Sequence, residues 1–507
     1  MLTACSSEEL AGTESAQQKA GEAPISFSVY TPRSITRSGS AVYADKTKGL
    51  ETSDLKTLGL GILAYYTDDE KYDADKSTPN FMYNTKVTYG TSGTWEYNPV
   101  MYWPNEFKNA SSENIDRVSF FAYAPYVEVD NVTGIPYADQ ANWENDKKLI
   151  TTEEKNITAI SKNTATGDPV VKYVVDTNPA TSVDLLWGVA SNEAATRYTA
   201  IDNTNSGVTV EPGKPFLNLV KPNEPRWNDG TNPVDGGVLS FNMCHALSKL
   251  NIDVKFIADA ATPDGTSADI NANETRIYIR SIKIGGFVMK AALDLNSKDT
   301  QEGALASTVR GKALWKDYDG KSALSWSDNV KFYDGRKDGK EGTESGDNLN
   351  ESYLGLNPYL LENYVNDVWG GTEWVKTEAN GGKNRGITKT AQNLFWNGEG
   401  TEPAENLPIY VIPVGDDIDI TIEYDVLTAD GNLSTFLSDG LTHGSMIKNT
   451  ITKKSKEIFK TTDPVKMEDG KSYTIHLILG MTSVKIEATV TDFEAENATA
   501  NLPQNQD

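Results

Sequence analysis

Few residues in this sequence have types and spacings that could do chemistry, and the first is a cysteine. Leu2-Thr3-Ala4-Cys5 sets an apolar residue and two small ones directly before a thiol. That is the form of a lipobox: small side chains let a signal peptidase hold the chain extended, and the thiol accepts a diacylglyceryl group. The alternative is a stray cysteine near the chain start. The polar, acidic stretch behind Cys5, where a tether belongs, favours lipidation. The charged and apolar segments of a signal peptide do not stand before it and are expected upstream. An acylated Cys5 could not pair with Cys244, the second cysteine. Cys244 is therefore expected to be a small buried hydrophobe in a protein without disulfides.

The three histidines offer little more. His245 shares the apolar phase of its segment, which suits a satisfied core histidine. His476 lies on the polar phase of a strand, and His443 stands in a Thr-His-Gly turn. None has a Cys or His neighbour at zinc-ligand spacing. No G-x-S-x-G elbow or P-loop accompanies them. An acid pair of the glycosidase kind cannot be picked out among 72 carboxylates. Asp68-Asp69-Glu70 and Asp317-Tyr318-Asp319-Gly320 carry oxygen ligands of the type calcium takes. In the second, Asp328 occupies the place of an EF-hand's closing glutamate, so solvated acidic turns are the favoured reading. No enzyme activity, metal or cofactor is expected.

The formal net charge of −25 argues against a phosphate backbone as partner, and nucleic acid is not expected. No apolar run approaches the roughly 18 residues of a membrane-spanning helix. With 38% hydrophobic residues the chain can build a core, and 507 residues exceed what one core usually serves.

The elements that must position these residues have a period of two. Ile25, Phe27 and Val29 alternate with Ser26, Ser28 and Tyr30. Leu58, Leu60, Ile62, Ala64 and Tyr66 form another row, and Ile418 to Val426 a third. Tyr473, Ile475, Leu477 and Leu479 turn at Gly480 to Ser483 and return as Val484, Ile486, Ala488 and Val490, a hairpin. Such strands belong to antiparallel sheets with one solvated face, so the fold class is all-β sandwich. Leu239 to His245 hold the odd phase and Leu250 to Phe256 the even one. If both line one core, a bulge or kink near Leu247 to Lys249 is required.

Residues 1–23 read as the lipobox remnant and a flexible tether, whose Ser6 to Ala23 portion would reach about 25 Å as a random coil. The Pro- and Gly-rich stretch Glu211 to Gly237 marks a boundary between an N-terminal domain, 24–225, and a C-terminal domain, 236–507. About 311–405 reads as a loop-rich insertion holding Trp315, Trp326, Trp369, Trp374 and Trp396.

The order of landmarks resembles the fimbrillin family, the FimA/Mfa-like pilus lipoproteins of Bacteroidales that build type V pili. The landmarks are the lipobox at Cys5; Ile25 to Tyr30 followed by Thr36-Arg37; Trp95-Glu96-Tyr97 with Tyr102-Trp103-Pro104; and Phe120 to Pro125. They continue with Asp184-Leu185-Leu186, Phe241 to Leu250, Ile409 to Pro413 and Gly470-Lys471-Ser472-Tyr473. The resemblance implies two transthyretin-like β-sandwich domains in tandem. It also implies an outer-membrane lipoprotein at the cell surface, cut by a trypsin-like protease after an arginine beyond the first strand. Here that arginine would be Arg37, with Arg33 as runner-up; an exposed arginine in a Ser/Gly loop is the equal alternative. Loss of the strand would uncover the sites of Ile25, Phe27 and Val29, about 5–9 kcal/mol of apolar burial, and a strand from another pilin subunit would fill them.

Two departures point to a tip, anchor or accessory subunit. Glu494 to Asp507 offers only Ala495, Ala498, Ala500 and Leu502 as apolar residues, and Phe493 stands where the family has tryptophan. A different class also fits: a non-polymerising surface lipoprotein that binds a host or glycan ligand, stacking Trp369 and Trp374 on sugar rings. Those tryptophans could equally cover the insertion's own small core.

Overall fold

Segments that alternate in the sequence become strands, and the fold is all-β. The computed structural model describes residues 24–31, 49–104, 116–151, 154–192, 194–195, 210–221, 238–257, 275–298, 300–302, 309–324, 330–334, 356–357, 360, 368–369, 374–375, 386–395, 407–413, 417–430, 432, 444–480 and 484–492. The largest sheet runs in the order β1 (Ser26–Tyr30), β10 (Val238–His245), β8 (Leu186–Ala190), β5 (Arg117–Ala124), β2 (Leu60–Asp68), β3 (Met82–Tyr89) and β4 (Trp95–Glu96). A further strand, β9 (Phe216–Leu219), also pairs with β5. Every pairing in it is antiparallel except β1 with β10, which is parallel.

A second sheet has the order β17 (Leu314–Lys316), β14 (Lys290–Asp294), β7 (Val170–Val174) and β6 (Asn156–Ile160). A third runs β13 (Phe287–Val288), β22 (Ile409–Pro413), β11 (Ser248–Phe256), β25 (Lys471–Leu479) and β26 (Val484–Asp492), with β21 (Gln392–Asn393) on β11. A fourth runs β18 (Val330–Asp334), β12 (Thr275–Ile284), β23 (Asp419–Ala429) and β24 (Gly444–Lys454). Two ribbons, β15 (Thr300–Glu302) with β16 (Val309–Gly311) and β19 (Val368–Trp369) with β20 (Trp374–Val375), complete the described strands.

Strand membership crosses the Pro-rich stretch before residue 238. β10 joins the first sheet, and β14 and β17 pair with β7 and with each other in the second. The change of phase after His245 has a simple cause. No bulge brings the two halves onto one core: β10 ends at His245, β11 begins at Ser248, and the two lie in different sheets.

The first sheet separates two apolar layers. Phe27, Leu60, Ile62, Phe120, Leu239 and Phe241 share one. Leu63, Tyr65, Phe121, Tyr123 and Trp187 share the other with Val171, Tyr173 and Leu293 of the second sheet. The expectation of one solvated face therefore fails for β2, β5 and β8. Covered on both sides, they read as near-continuous apolar runs such as Val118 to Ala124. The same layer continues to Ile252, Ile279, Ile422 and Ile475 of the third and fourth sheets.

Leu58 proves not to open β2; it closes helix α1 (Thr52–Leu58). Glu51 and Asp54 form a reciprocal cap at the start of α1, and Gly59 ends it at φ +74°. A Cβ on Gly59 would meet the Val87 carbonyl oxygen at 2.9 Å, so glycine is required there. The C-terminal hairpin has the expected register, with Leu479 opposite Val484 and Tyr473 opposite Val490.

Candidate functional site: the groove holding the first strand

The first strand is an edge strand bound to a single neighbour. Its register sets Phe27 beside Leu239 and Val29 beside Phe241. Alternation then turns Ile25, Phe27 and Val29 inward, where they are no more than 4% exposed, while Ser26, Ser28 and Tyr30 are half-buried. Phe27 is the centre of an aromatic cluster. Its ring centroid lies 5.3 Å from Tyr97, 6.2 Å from Phe120 and 6.3 Å from Phe241, the first two edge-on and the third stacked. Edge-on and offset rings of this kind add to the area they bury.

Both ends of the strand are fastened by polar groups. At the start, Ile25 N–H donates to the Met101 carbonyl at 2.8 Å, and the Tyr97 hydroxyl donates to the Ile25 carbonyl at 2.8 Å. Met101 N–H donates to the same hydroxyl at 3.2 Å. The tyrosine oxygen thus stands in the place of the second direct bond of a backbone bridge. Burial pushes the Tyr97 hydroxyl's pKa well above its ordinary value, so it is held protonated as a donor. Pro24 adds a bridge to Tyr102. At the far end, Thr31 N–H donates to Thr52 Oγ1 at 2.9 Å and Thr52 N–H to Thr31 Oγ1 at 3.2 Å. The two hydroxyl oxygens lie 3.0 Å apart.

The chain re-enters near this groove at Gly49 and Leu50. Leu50 N–H donates to Asp184 Oδ2 at 3.1 Å, and the same oxygen lies 2.6 Å from His245 Nδ1. His245 is 4% exposed, a satisfied core histidine as its phase suggested. Cys244, its neighbour, is fully buried in the shared apolar layer.

Ile25, Phe27 and Val29 are thus brought to one site. Cys5, Arg33, Arg37, His443, Phe493 and the segment from Glu494 lie outside the described residues. Trp369 and Trp374 are direct register partners across the β19–β20 ribbon. Trp315 is buried, its indole N–H donating to the Ala246 carbonyl at 3.0 Å. The Asp317–Gly320 turn is satisfied internally: Asp319 accepts from Lys321 N–H at 2.8 Å and from Ser322 N–H at 3.1 Å. Those bonds hold its carboxyl below the usual range. His476 pairs with Asp253 at 2.7 Å across β11 and β25. Among the described residues no group of three or more His, Cys, Asp or Glu is placed to hold a metal ion, and no helix is long and apolar enough to cross a membrane. Tyr97 and Thr52 were not visible as site residues, because their roles rest on long-range bonds to the backbone of β1.

No family model and no curated protein matches the sequence. Among solved structures, the chain is similar to a fimbrial protein of Bacteroides vulgatus at 19% identity. The match covers 93% of this chain and 99% of that one, at a TM-score of 0.42. A candidate cell adhesion protein of Bacteroides uniformis matches at 11% identity over 94% and 100% of the two chains, at a TM-score of 0.34. One of Parabacteroides distasonis matches at 9% identity over 93% and 98%, at 0.35.

Proposed function

We propose that this protein is a structural and adhesive subunit of a cell-surface pilus, a tip, anchor or accessory one. In this reading it is held at the outer membrane through lipidated Cys5 and matured by losing its first strand. A trypsin-like protease would cut after Arg37, or after Arg33, and a strand from another subunit would then replace β1. The observation that carries this is the state of β1: an apolar edge strand, parallel to its one neighbour. In the sequence it is followed by residues 32–48, the stretch that holds both arginines. A cut there would leave the new N-terminal segment moored, because Leu50 is tied to Asp184. The test is the N-terminal residue of protein recovered from intact cells. Assembled material should begin at Ser38; finding only acylated Cys5 in assembled material would sink the route.

A second reading, a glycan-binding surface lipoprotein that does not polymerise, is favoured by the pairing of Trp369 with Trp374 across one ribbon. It requires an uncleaved monomer that binds a polysaccharide and loses it on Trp369→Ala or Trp374→Ala.

A further inference from the structure

We infer that the groove selects its occupant by two polar clasps as well as by apolar fit. The strand that replaces β1 must then read apolar-x-aromatic-x-apolar-x-Thr (or Ser), running parallel to β10. The inference rests on the strand-replacement reading above and names the partner it would take.

Apolar alternation alone cannot fix the register of an inserted strand. A slip of one residue turns the side chains outward, but a slip of two restores the pattern. The clasps remove that degeneracy. Ile25 and Thr31 differ in position by an even number, so in an extended strand their N–H groups point to the same side. Ile25 uses that side to bond Met101, and Thr31 uses it to bond Thr52. Tyr97 reads two nearby features at once, the Ile25 carbonyl through its hydroxyl and the Phe27 ring through a T-shaped contact. At the other end the reciprocal bonds between Thr31 and Thr52 need a hydroxyl on the incoming strand at one position only. A strand displaced by two residues would place its hydroxyl about 7 Å away, beyond reach of Thr52. A strand inserted in reverse would present neither end correctly.

The segment Thr491 to Asp507 holds one aromatic residue, Phe493, and it has no apolar residue two positions before it. Residues 491–507 therefore lack the pattern, and the occupant is a strand of a partner subunit that carries it.

The test uses the full chain, nicked with trypsin and checked by mass spectrometry, and a labelled octapeptide of residues 24–31. Uptake is read by fluorescence anisotropy. A peptide carrying Thr31→Val should bind the native protein about tenfold more weakly, yet bind the Thr52→Val protein nearly as well as the parent peptide does. Tyr97→Phe should weaken every peptide by about fivefold. Equal affinities of the parent and Thr31→Val peptides for the native protein would overturn the clasp while leaving the groove intact. Uptake of no peptide at all by nicked protein would remove the strand-replacement reading, and this inference with it.

Discussion

Two edge strands of this molecule follow opposite plans. β1 has five residues, none charged, and buries Phe27 and Val29. β24 has eleven, carries Lys448, Lys453 and Lys454, and has side chains exposed or half-buried along its length after Gly444. Each pairs with a single neighbour, β10 or β23. Long bare edges invite pairing with other chains, and lysines on them are a common defence. β24 is defended along its own length, whereas the edge at β10 is covered by β1, a short uncharged strand with apolar side chains turned inward. Under the strand-replacement proposal, the contrast marks where a visiting strand would be admitted and where it would be repelled.

The largest expected effect separates the two edges directly. Phe27→Ala should cost about 3–5 kcal/mol in denaturant unfolding, through lost burial and the cavity left beside the Tyr97, Phe120 and Phe241 rings. Ile447→Ala on β24 should stay within about 1 kcal/mol, since Ile447 is already 37% exposed. Similar losses at both positions would erase the distinction. A middle-sized effect concerns association. Lys448→Val combined with Lys453→Val should make β24 pair with copies of itself, seen as a rise in light scattering that the native chain lacks at the same concentration.

The smallest effect lies on a third edge, β26. Glu487 takes bonds from Lys485 at 2.8 Å and Lys460 at 2.9 Å, and these lower its pKa to about 2. A carboxyl lowered in the folded state adds stability that is present above its unfolded value of 4.5 and lost as pH falls towards 2. Because the side chain is 32% exposed and the pairs are screened by solvent, no more than about 1 kcal/mol is expected, and less in high salt. Glu487→Gln should flatten the stability curve across that window. An unchanged curve would mean that the pairs guard this edge without stabilising it.

Much of the fold could be read from period-two patterns, because side-chain alternation is a local property. The burial of Ile25, Phe27 and Val29 and the register of the last hairpin followed from it. Partners far apart in sequence did not. Nothing near Lys290 to Asp294 says that these residues pair with Val170 to Val174. The change of phase after His245 was visible, but a bulge and a change of sheet leave the same mark on a sequence. Helix α1 was hidden because Leu58 continued an apolar row whose other members are strand. At the candidate site, the apolar half was legible and the polar half was not. Tyr97 stood among the family landmarks, yet its bond to Ile25 depends on a loop returning Met101 to the groove.

The parallel pairing of β1 has a thermodynamic consequence. A parallel neighbour cannot be reached by a tight turn, and β1 and β10 lie far apart in the sequence; β1 therefore meets β10 as a ligand meets its receptor while remaining covalently joined to the same chain. A covalent join of this kind acts as a local concentration that favours the resident strand. A free competitor must exceed that before it can displace β1. Under the strand-replacement proposal, a cut after Arg37 would remove that advantage without altering any described contact in the groove. Proteolysis would then set the time of exchange, and the groove would set which strand succeeds.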